Sequence, residues 1–352
     1  LKLQKLRNEM KQREVEALLV TSPYNLRYIT EFTGTAGLAI VTQQKAVFIT
    51  DFRYTEQAGE QVKEFKVIQA EKNLMDEVVK TVKSMDIQTL AFEQDYMTYA
   101  SATQYKEKLD CNLEPISNLI EKIRMVKTAE EVSVLKDAAK IADDAFEHIC
   151  GFIRPGLTEL EVSNELEFFM RQQGATSSSF DIIVASGLRS ALPHGVATDK
   201  VIEQGDMITL DFGALYNGYI SDITRTVAVG EPSEQLKEIY AIVLKAQELG
   251  VEKIGPGMSG IEADAIARDY IKSKGYGEAF GHSTGHGIGL EVHESPGLSF
   301  KSETILEPGM AVTVEPGIYL QGIGGVRIED DILITESGNE RLTHSTKELR
   351  IL

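Results

Sequence analysis

Apolar positions in this 352-residue chain change their period several times, and each change marks an element. Residues 1–14 carry charge at helical spacing, and Ala17–Val20 is a short apolar run that reads as a buried strand. Ser22-Pro23-Tyr24-Asn25-Leu26-Arg27-Tyr28 reads as a turn leading into Thr33-Gly34-Thr35. Strand-forming runs follow at Gly37–Thr42 and Ala46–Thr50, and Asp51 is placed to cap a helix opening at Asp51-Phe52-Arg53-Tyr54. Strand and helix then alternate: strand Phe65–Gln69, helix Leu74–Lys83, strand Thr89–Glu93, helix Tyr99–Leu109. This pattern predicts a small α/β domain over residues 1–122, with no Gly-rich phosphate loop and no nucleophile elbow. A linker near Asn118–Lys127 leads to a second domain, residues 123–352. A long amphipathic helix opens it at Thr128–Ile153, with Val132, Leu135, Ala138, Ala142 and Phe146 on its apolar face.

The second domain repeats itself. Ile153-Arg-Pro155-Gly156-Leu-Thr-Glu-Leu-Glu161 returns 101 residues later as Ile254-Gly-Pro256-Gly257-Met-Ser-Gly-Ile-Glu262, and Gly174 matches Gly275 at the same offset. Glu203-Gln-Gly205-Asp-Met-Ile-Thr-Leu-Asp211-Phe-Gly213 parallels Glu307-Pro-Gly309-Met-Ala-Val-Thr-Val-Glu315-Pro-Gly317. Pro-Gly turns recur by chance, but an ungapped offset across a whole helix argues for a duplicated helix–hairpin unit. The expected architecture is an α+β domain with two related halves about a pseudo-two-fold.

Within the first half, apolar residues run into Asp211, and Asn217-Gly218 supplies the left-handed pair of a two-residue hairpin turn. That turn sets residue 211 opposite 224, so Asp211 and Asp222 become diagonal neighbours on one face. Two carboxylates so close resist ionising together, and a divalent cation between them removes the penalty. Two exposed acids on a polar hairpin would be the plainer reading, but Met207, Ile208, Leu210 and Phe212 surround Asp211 with apolar strand. In the second half Glu315 stands where Asp211 does, and Gly325-Val-Arg327-Ile-Glu329-Asp-Asp331 supplies a second acid. Facing hairpins would gather Asp211, Asp222, Glu315 and Glu329, a set that calls for two divalent ions rather than one. One histidine would complete an oxygen-rich site suited to Mn²⁺, Co²⁺ or Zn²⁺. Of six histidines, His194, His282, His286 and His293 sit in two short loops, one of them the Gly-rich stretch Gly281–Glu294. His148 and His344 carry no such signal, and Asp330 and Asp331 read as hairpin-edge or supporting acids.

Composition narrows the partners. Lys+Arg 36 against Asp+Glu 54 gives a net charge of −18, which argues against nucleic acid or an anionic membrane. No apolar run reaches transmembrane length, and the first residues show no signal-peptide pattern. Cys111 and Cys150 follow no metal or redox spacing, so reduced thiols in a cytoplasmic protein are expected.

These motifs resemble the pita-bread metallopeptidases, specifically their proline-specific branch of Xaa-Pro dipeptidases (prolidases) and Xaa-Pro aminopeptidases (aminopeptidase P). The resemblance spans the chain, since Asn25-Leu-Arg-Tyr28 and Asp51-Phe-Arg-Tyr54 look like the creatinase-type N-terminal domain. It implies two-metal hydrolysis of Xaa-Pro bonds, with manganese as the expected ion, cobalt or zinc as substitutes, and a homodimer. Carried over, Asp211 chelates one metal, His286 and Glu315 bind the other, and Asp222 and Glu329 bridge both. Glu315 is then the proton acceptor, while His194 and His293 contact the scissile peptide. His282 becomes a further pocket histidine and Arg327 a substrate-carboxylate ligand, with an ion pair to Glu329 or Asp330 as the alternative for Arg327. A creatinase-like amidinohydrolase would need no metal ligands, and a methionine aminopeptidase would ordinarily lack the N-terminal domain. A scaffold that binds without catalysing should have lost ligands. Dipeptidase is preferred over aminopeptidase, on the likeness of His293-Glu294-Ser-Pro296 and the Arg327 segment to small microbial prolidases.

Overall fold

The computed structural model describes residues 2–352, which divide into two compact units, one ending at Arg124 and the other running Met125–Leu352. The first unit is built on a six-stranded sheet in the order Lys66–Gln69, Ala46–Thr50, Gly37–Thr42, Ala17–Val20, Thr89–Glu93, Asn112–Ile116. The hairpin Gly37–Thr50 makes its central pairs antiparallel, and helical crossovers make the outer ones parallel. Helices Leu74–Ser84 and Tyr99–Lys108 cover one face, packing Val78 and Tyr105 over Leu19, Ile40, Val47 and Leu90.

Three local expectations are corrected here. Ser22–Tyr28 is not a turn, because Pro23–Thr30 is helical: the Ser22 side chain accepts from the Asn25 amide, and proline at the first helical position forfeits only an N–H that would be unpaired anyway. Asp51 caps no helix. Its carboxylate binds the amide and guanidinium of Arg53, and the helix begins four residues later at Thr55. The edge strand Asn112–Ile116 was hidden by Asn112, Glu114 and Pro115, residues a solvated edge tolerates.

The second unit opens with the helix Ala129–Phe152, capped by Thr128 and Glu131 in a reciprocal capping box. The duplication is visible in the backbone. Helices Glu159–Gln172 and Gly260–Ser273 both start from capping boxes, Thr158 with Glu161 and Ser259 with Glu262. Gly156 and Gly257 precede them at φ +94° and +86°, and Gly174 and Gly275 follow at +103° and +88°, all left-handed positions where a side chain is strained. Strand Met207–Phe212 pairs with Ile223–Ala228 on one side and Ile183–Ser186 on the other. Its counterpart Ala311–Val314 lies inside the five-stranded sheet, flanked by Gly285–Gly287 and Asp330–Thr335. Apolar side chains from helices Ala129–Phe152 and Glu159–Gln172 pack on the first sheet through Phe146, Leu166, Met170, Leu210 and Phe212. Each hairpin therefore ends with its acids at the border between packed core and open cavity.

Candidate metal and peptide site

The Asn217-Gly218 turn sits at φ 47° and 84°, the left-handed pair the sequence predicts, and it fixes Asp211 opposite Thr224. Between the acids the ribbon kinks at Gly213, where a Cβ would come within 1.7 Å of the Ser221 carbonyl oxygen. Asp222 is held from behind, its amide donating to Asp331 Oδ2 at 2.9 Å. Glu329 follows strand Gly324–Arg327, and Thr224 Oγ1 donates to its Oε2 at 2.5 Å. Thr313 Oγ1 accepts from the His286 amide at 3.1 Å and donates to Glu315 Oε1 at 3.2 Å, tying imidazole and carboxylate to one strand.

These elements converge on a cavity of about 540 Å³ within the second unit. All nine sequence-derived candidates line it: His194, Asp211, Asp222, His282, His286, His293, Glu315, Arg327 and Glu329. His286 Nε2 lies 3.3 Å from Glu315 Oε1 and 3.7 Å from Asp222 Oδ2, while its Nδ1 faces the Gly287 carbonyl at 3.1 Å. That contact leaves Nε2 free to act as a ligand. Ligand atoms of Asp222, His286 and Glu329 fall within 4.8 Å of one another. The rings of His286 and His293 stand 4.4 Å apart, and His194 is an exposed member of the same cavity lining.

Electrostatically the site is strained toward neutral acids. Burial, then Glu329 and Asp211, pushes the Asp222 carboxyl far above the usual range; burial, then Glu315 and Asp211, does the same to Glu329. Burial raises Glu315 to about 8 against the pull of Arg327. Burial lowers His286, His293 and, to about 4, His282, the last aided by Arg327. Asp211 Oδ1 and Asp222 Oδ1 are buried oxygens without a hydrogen-bond partner. Unpartnered oxygens, crowded carboxyls and a neutral imidazole on one cavity wall fit divalent cations: only cation charge satisfies that donor set with every acid ionised.

Arg327 differs from its expected alternative. It pairs with neither Glu329 nor Asp330; Nη2 donates to Asp211 Oδ2 at 2.5 Å, Nη1 to the Tyr319 hydroxyl at 2.7 Å and Nε to Thr224 Oγ1 at 3.2 Å. Asp330 and Asp331 are buried rather than at an edge. Asp330 anchors Arg225, Lys347 and Gln247, and Asp331 backs Asp222. Tyr319, which sequence reasoning passed over, joins Arg327 to His282 Nε2 at 2.9 Å. Glu294 is also placed: it accepts from the amides of Leu290 and Glu291 and pairs with buried Lys127 at 3.3 Å, bracing the turn before His293.

A duplicated unit with paired acids and clustered imidazoles on one cavity defines a metallopeptidase. The chain belongs to metallopeptidase family M24, which residues 133–336 match, and residues 2–126 match the creatinase/prolidase N-terminal domain. It is 44% identical to the Xaa-Pro dipeptidase of Pyrococcus furiosus over 99% of both chains. Among solved structures it resembles an Xaa-Pro dipeptidase from Bacillus anthracis, at 62% identity and a TM-score of 0.98 over 100% of this chain and 99% of the other. An X-Pro aminopeptidase from Thermotoga maritima is also similar, at 40% identity and a TM-score of 0.92 over 99% of both.

Proposed function

We propose that this metallopeptidase is an Xaa-Pro dipeptidase, a prolidase that hydrolyses the bond preceding proline with two divalent ions. The observation that carries the reading is the presence of all five ligand types on one cavity with three further imidazoles and an arginine. Asp211, Asp222, His286, Glu315 and Glu329 would hold the ions. When bound, the ions compensate the carboxylates and acidify the attacking water near neutral pH. Glu315 would be the proton acceptor for the attacking water and would pass the proton towards the leaving nitrogen. His293 and His194 donate hydrogen bonds to the carbonyl oxygen as it gains charge and to the departing proline nitrogen. Such donors suit proline, whose tertiary amide offers no N–H of its own. Arg327 has five N–H groups, of which three are engaged, so one on each Nη remains for a substrate carboxylate. His282 orients the Tyr319–Arg327 pair beside that position.

Manganese is the ion we assign, with cobalt or zinc as substitutes in the same oxygen-rich set. We assign a homodimer in the cytoplasm, the compartment being supported by the free thiols Cys111 and Cys150. No helix among the described residues is long and apolar enough to cross a membrane. A second reading, aminopeptidase P acting on longer peptides, is favoured by the likeness to the Thermotoga maritima structure. Metal-stripped protein given Mn²⁺, Co²⁺ or Zn²⁺ and assayed on Ala-Pro and Ala-Pro-Ala separates them. Cleavage of the dipeptide alone is expected; preference for the tripeptide makes it an aminopeptidase, and metal bound without turnover on either makes it a binding protein.

A further inference from the structure

His194 makes no side-chain hydrogen bond among the described residues, so the loop that carries it decides where its ring stands. That loop leaves strand Ile183–Ser186, passes through a short turn at Gly187–Ala191 and returns at Thr198. One side chain fastens both ends. Glu159, wholly buried at the first turn of helix Glu159–Gln172, accepts at Oε1 from the Ser186 amide and hydroxyl at 2.8 and 2.9 Å. Its Oε2 accepts from the Thr198 amide and hydroxyl at 3.1 and 2.8 Å. Arg189 Nε spans both oxygens at 3.2 and 3.0 Å, and Arg189 Nη2 reaches on to the Val196 carbonyl at 2.7 Å. A carboxylate so fully bonded is a rigid clip, with His194 on the span it closes.

The duplication supplies the control. At the repeat offset Glu159 corresponds to Gly260, where a Cβ would lie 2.2 Å from the Gly297 carbonyl. The backbone contacts recur without the side chain: Glu159 and Leu160 amides donate to Lys200 and Thr198, as Gly260 and Ile261 amides do to Thr304 and Ser302. The helix–loop unit therefore forms without a carboxylate at this position. The corresponding loop of the second half, which bears His293, is braced instead by Glu294, on the Leu290 and Glu291 amides and on Lys127, so each half fixes its histidine loop with a different carboxylate.

We propose that Glu159 is a positioning residue, fixing the 186–198 loop so that the His194 imidazole meets the reacting peptide. The inference rests on the assignment of His194 made above. It is tested by kinetics on Ala-Pro with the full-length metal-loaded protein, as wild type, Glu159→Gln, His194→Ala and the double variant. Glu159→Gln should lower kcat about tenfold or more, with KM changed less than about threefold, as a displaced catalytic group does. In the His194→Ala background the same change should cost less than about twofold, because the ring it positions is gone. An equal loss in both backgrounds overturns the proposal. Arg189→Met, cut from the partly exposed end of the clip, goes through the same cycle if Glu159→Gln does not fold. Should wild type cleave no Xaa-Pro peptide, the substrate reading fails by itself, and hydrogen exchange decides the positioning. Lost amide protection over 186–198 in Glu159→Gln, with 129–152 unchanged, upholds the clip, and unchanged protection over 186–198 refutes it.

Discussion

Gly285 offers the sharpest test of how the fold builds this site. It begins the short strand Gly285–Gly287, and a Cβ there would stand 1.9 Å from the Thr313 carbonyl oxygen and 2.8 Å from its carbon. Both are backbone atoms of a central strand, so no side chain can swing aside. Reaching even a tight contact of 3.0 Å requires the strands to part by about 1.1 Å, and that movement carries His286 with it. It also stretches the 3.1 Å bond from the His286 amide to Thr313 Oγ1, and Thr313 is what holds Glu315. A nitrogen ligand works at about 2.0–2.1 Å, so a displacement near 1 Å would take His286 out of the proposed ligand set. Gly285→Ala should therefore cost about 1–3 kcal/mol in stability from overpacking. The same displacement should cost about 100-fold in kcat/KM. Gly281→Ala is the matched control: four residues away in the same Gly-rich loop, its Cβ would meet nothing within 4 Å. The assay is Ala-Pro hydrolysis together with metal content by elemental analysis and urea unfolding. Full activity and two bound ions in Gly285→Ala would refute the claim that this close approach sets the ligand geometry, as would equal losses in both variants.

Three further outcomes follow from the same coordinates. Chelation should lower the melting temperature by roughly 5–10 °C for each ion held at a hundredfold excess over its dissociation constant; an unchanged scan with metal demonstrably removed would contradict the crowded-carboxylate account. His282, held down to about 4, stays neutral in the folded protein while the unfolded chain gains a proton below about 6.5, so stability should fall between those pH values by up to roughly 3 kcal/mol. Urea midpoints at pH 7 and 4.5 should differ less in His282→Asn than in wild type. Asp330→Asn leaves Arg225, 1% exposed, without its charge partner and should cost about 3–5 kcal/mol by urea unfolding, whereas a loss under 1 kcal/mol would show Arg225 satisfied by backbone carbonyls alone.

Much of the site was legible because short-range rules fixed it. The Asn217-Gly218 turn dictates register, so the relation of Asp211 to Asp222 could be counted off residue by residue. The repeat then transferred that relation to Glu315 and Glu329, and the Gly-rich loop marked where imidazoles could approach. Contacts that join distant segments were not legible. Arg327 and Asp211 are 116 residues apart, and nothing local chooses Asp211 over the nearer Glu329 or Asp330. Tyr319 resembles any strand tyrosine until its hydroxyl is seen between Arg327 and His282. Glu159 drew no attention in the sequence, since an acid in a helix's first turn is favoured there for local reasons alone. Ser22-Pro23 was misread for the opposite cause: one local rule, proline as a turn former, was applied where another, proline opening a helix, governs.

The duplication also explains how a stable fold carries so unfavourable a site. Four carboxyls facing one cavity with a single guanidinium would push their segments apart if they sat on independent loops. Here each pair is carried on or beside strands whose pairing is set elsewhere, by six register partners between Met207–Phe212 and Ile223–Ala228 and four between Ala311–Val314 and Asp330–Thr335. The charges that secure these strands and the loops beside them are kept off the cavity: Arg225 and Lys347 on Asp330, Arg189 on Glu159, and Lys127 on Glu294. Neutralising any of these should be felt as lost stability or a misplaced histidine. Neutralising Asp222, Glu315 or Glu329, whose carboxyls burial and one another push upward, removes repulsion and should make the metal-free protein more stable while abolishing turnover; Asp211 is set apart because it is also the charge partner of Arg327. That opposition of sign is what separates a ligand carboxylate from a structural one in this fold.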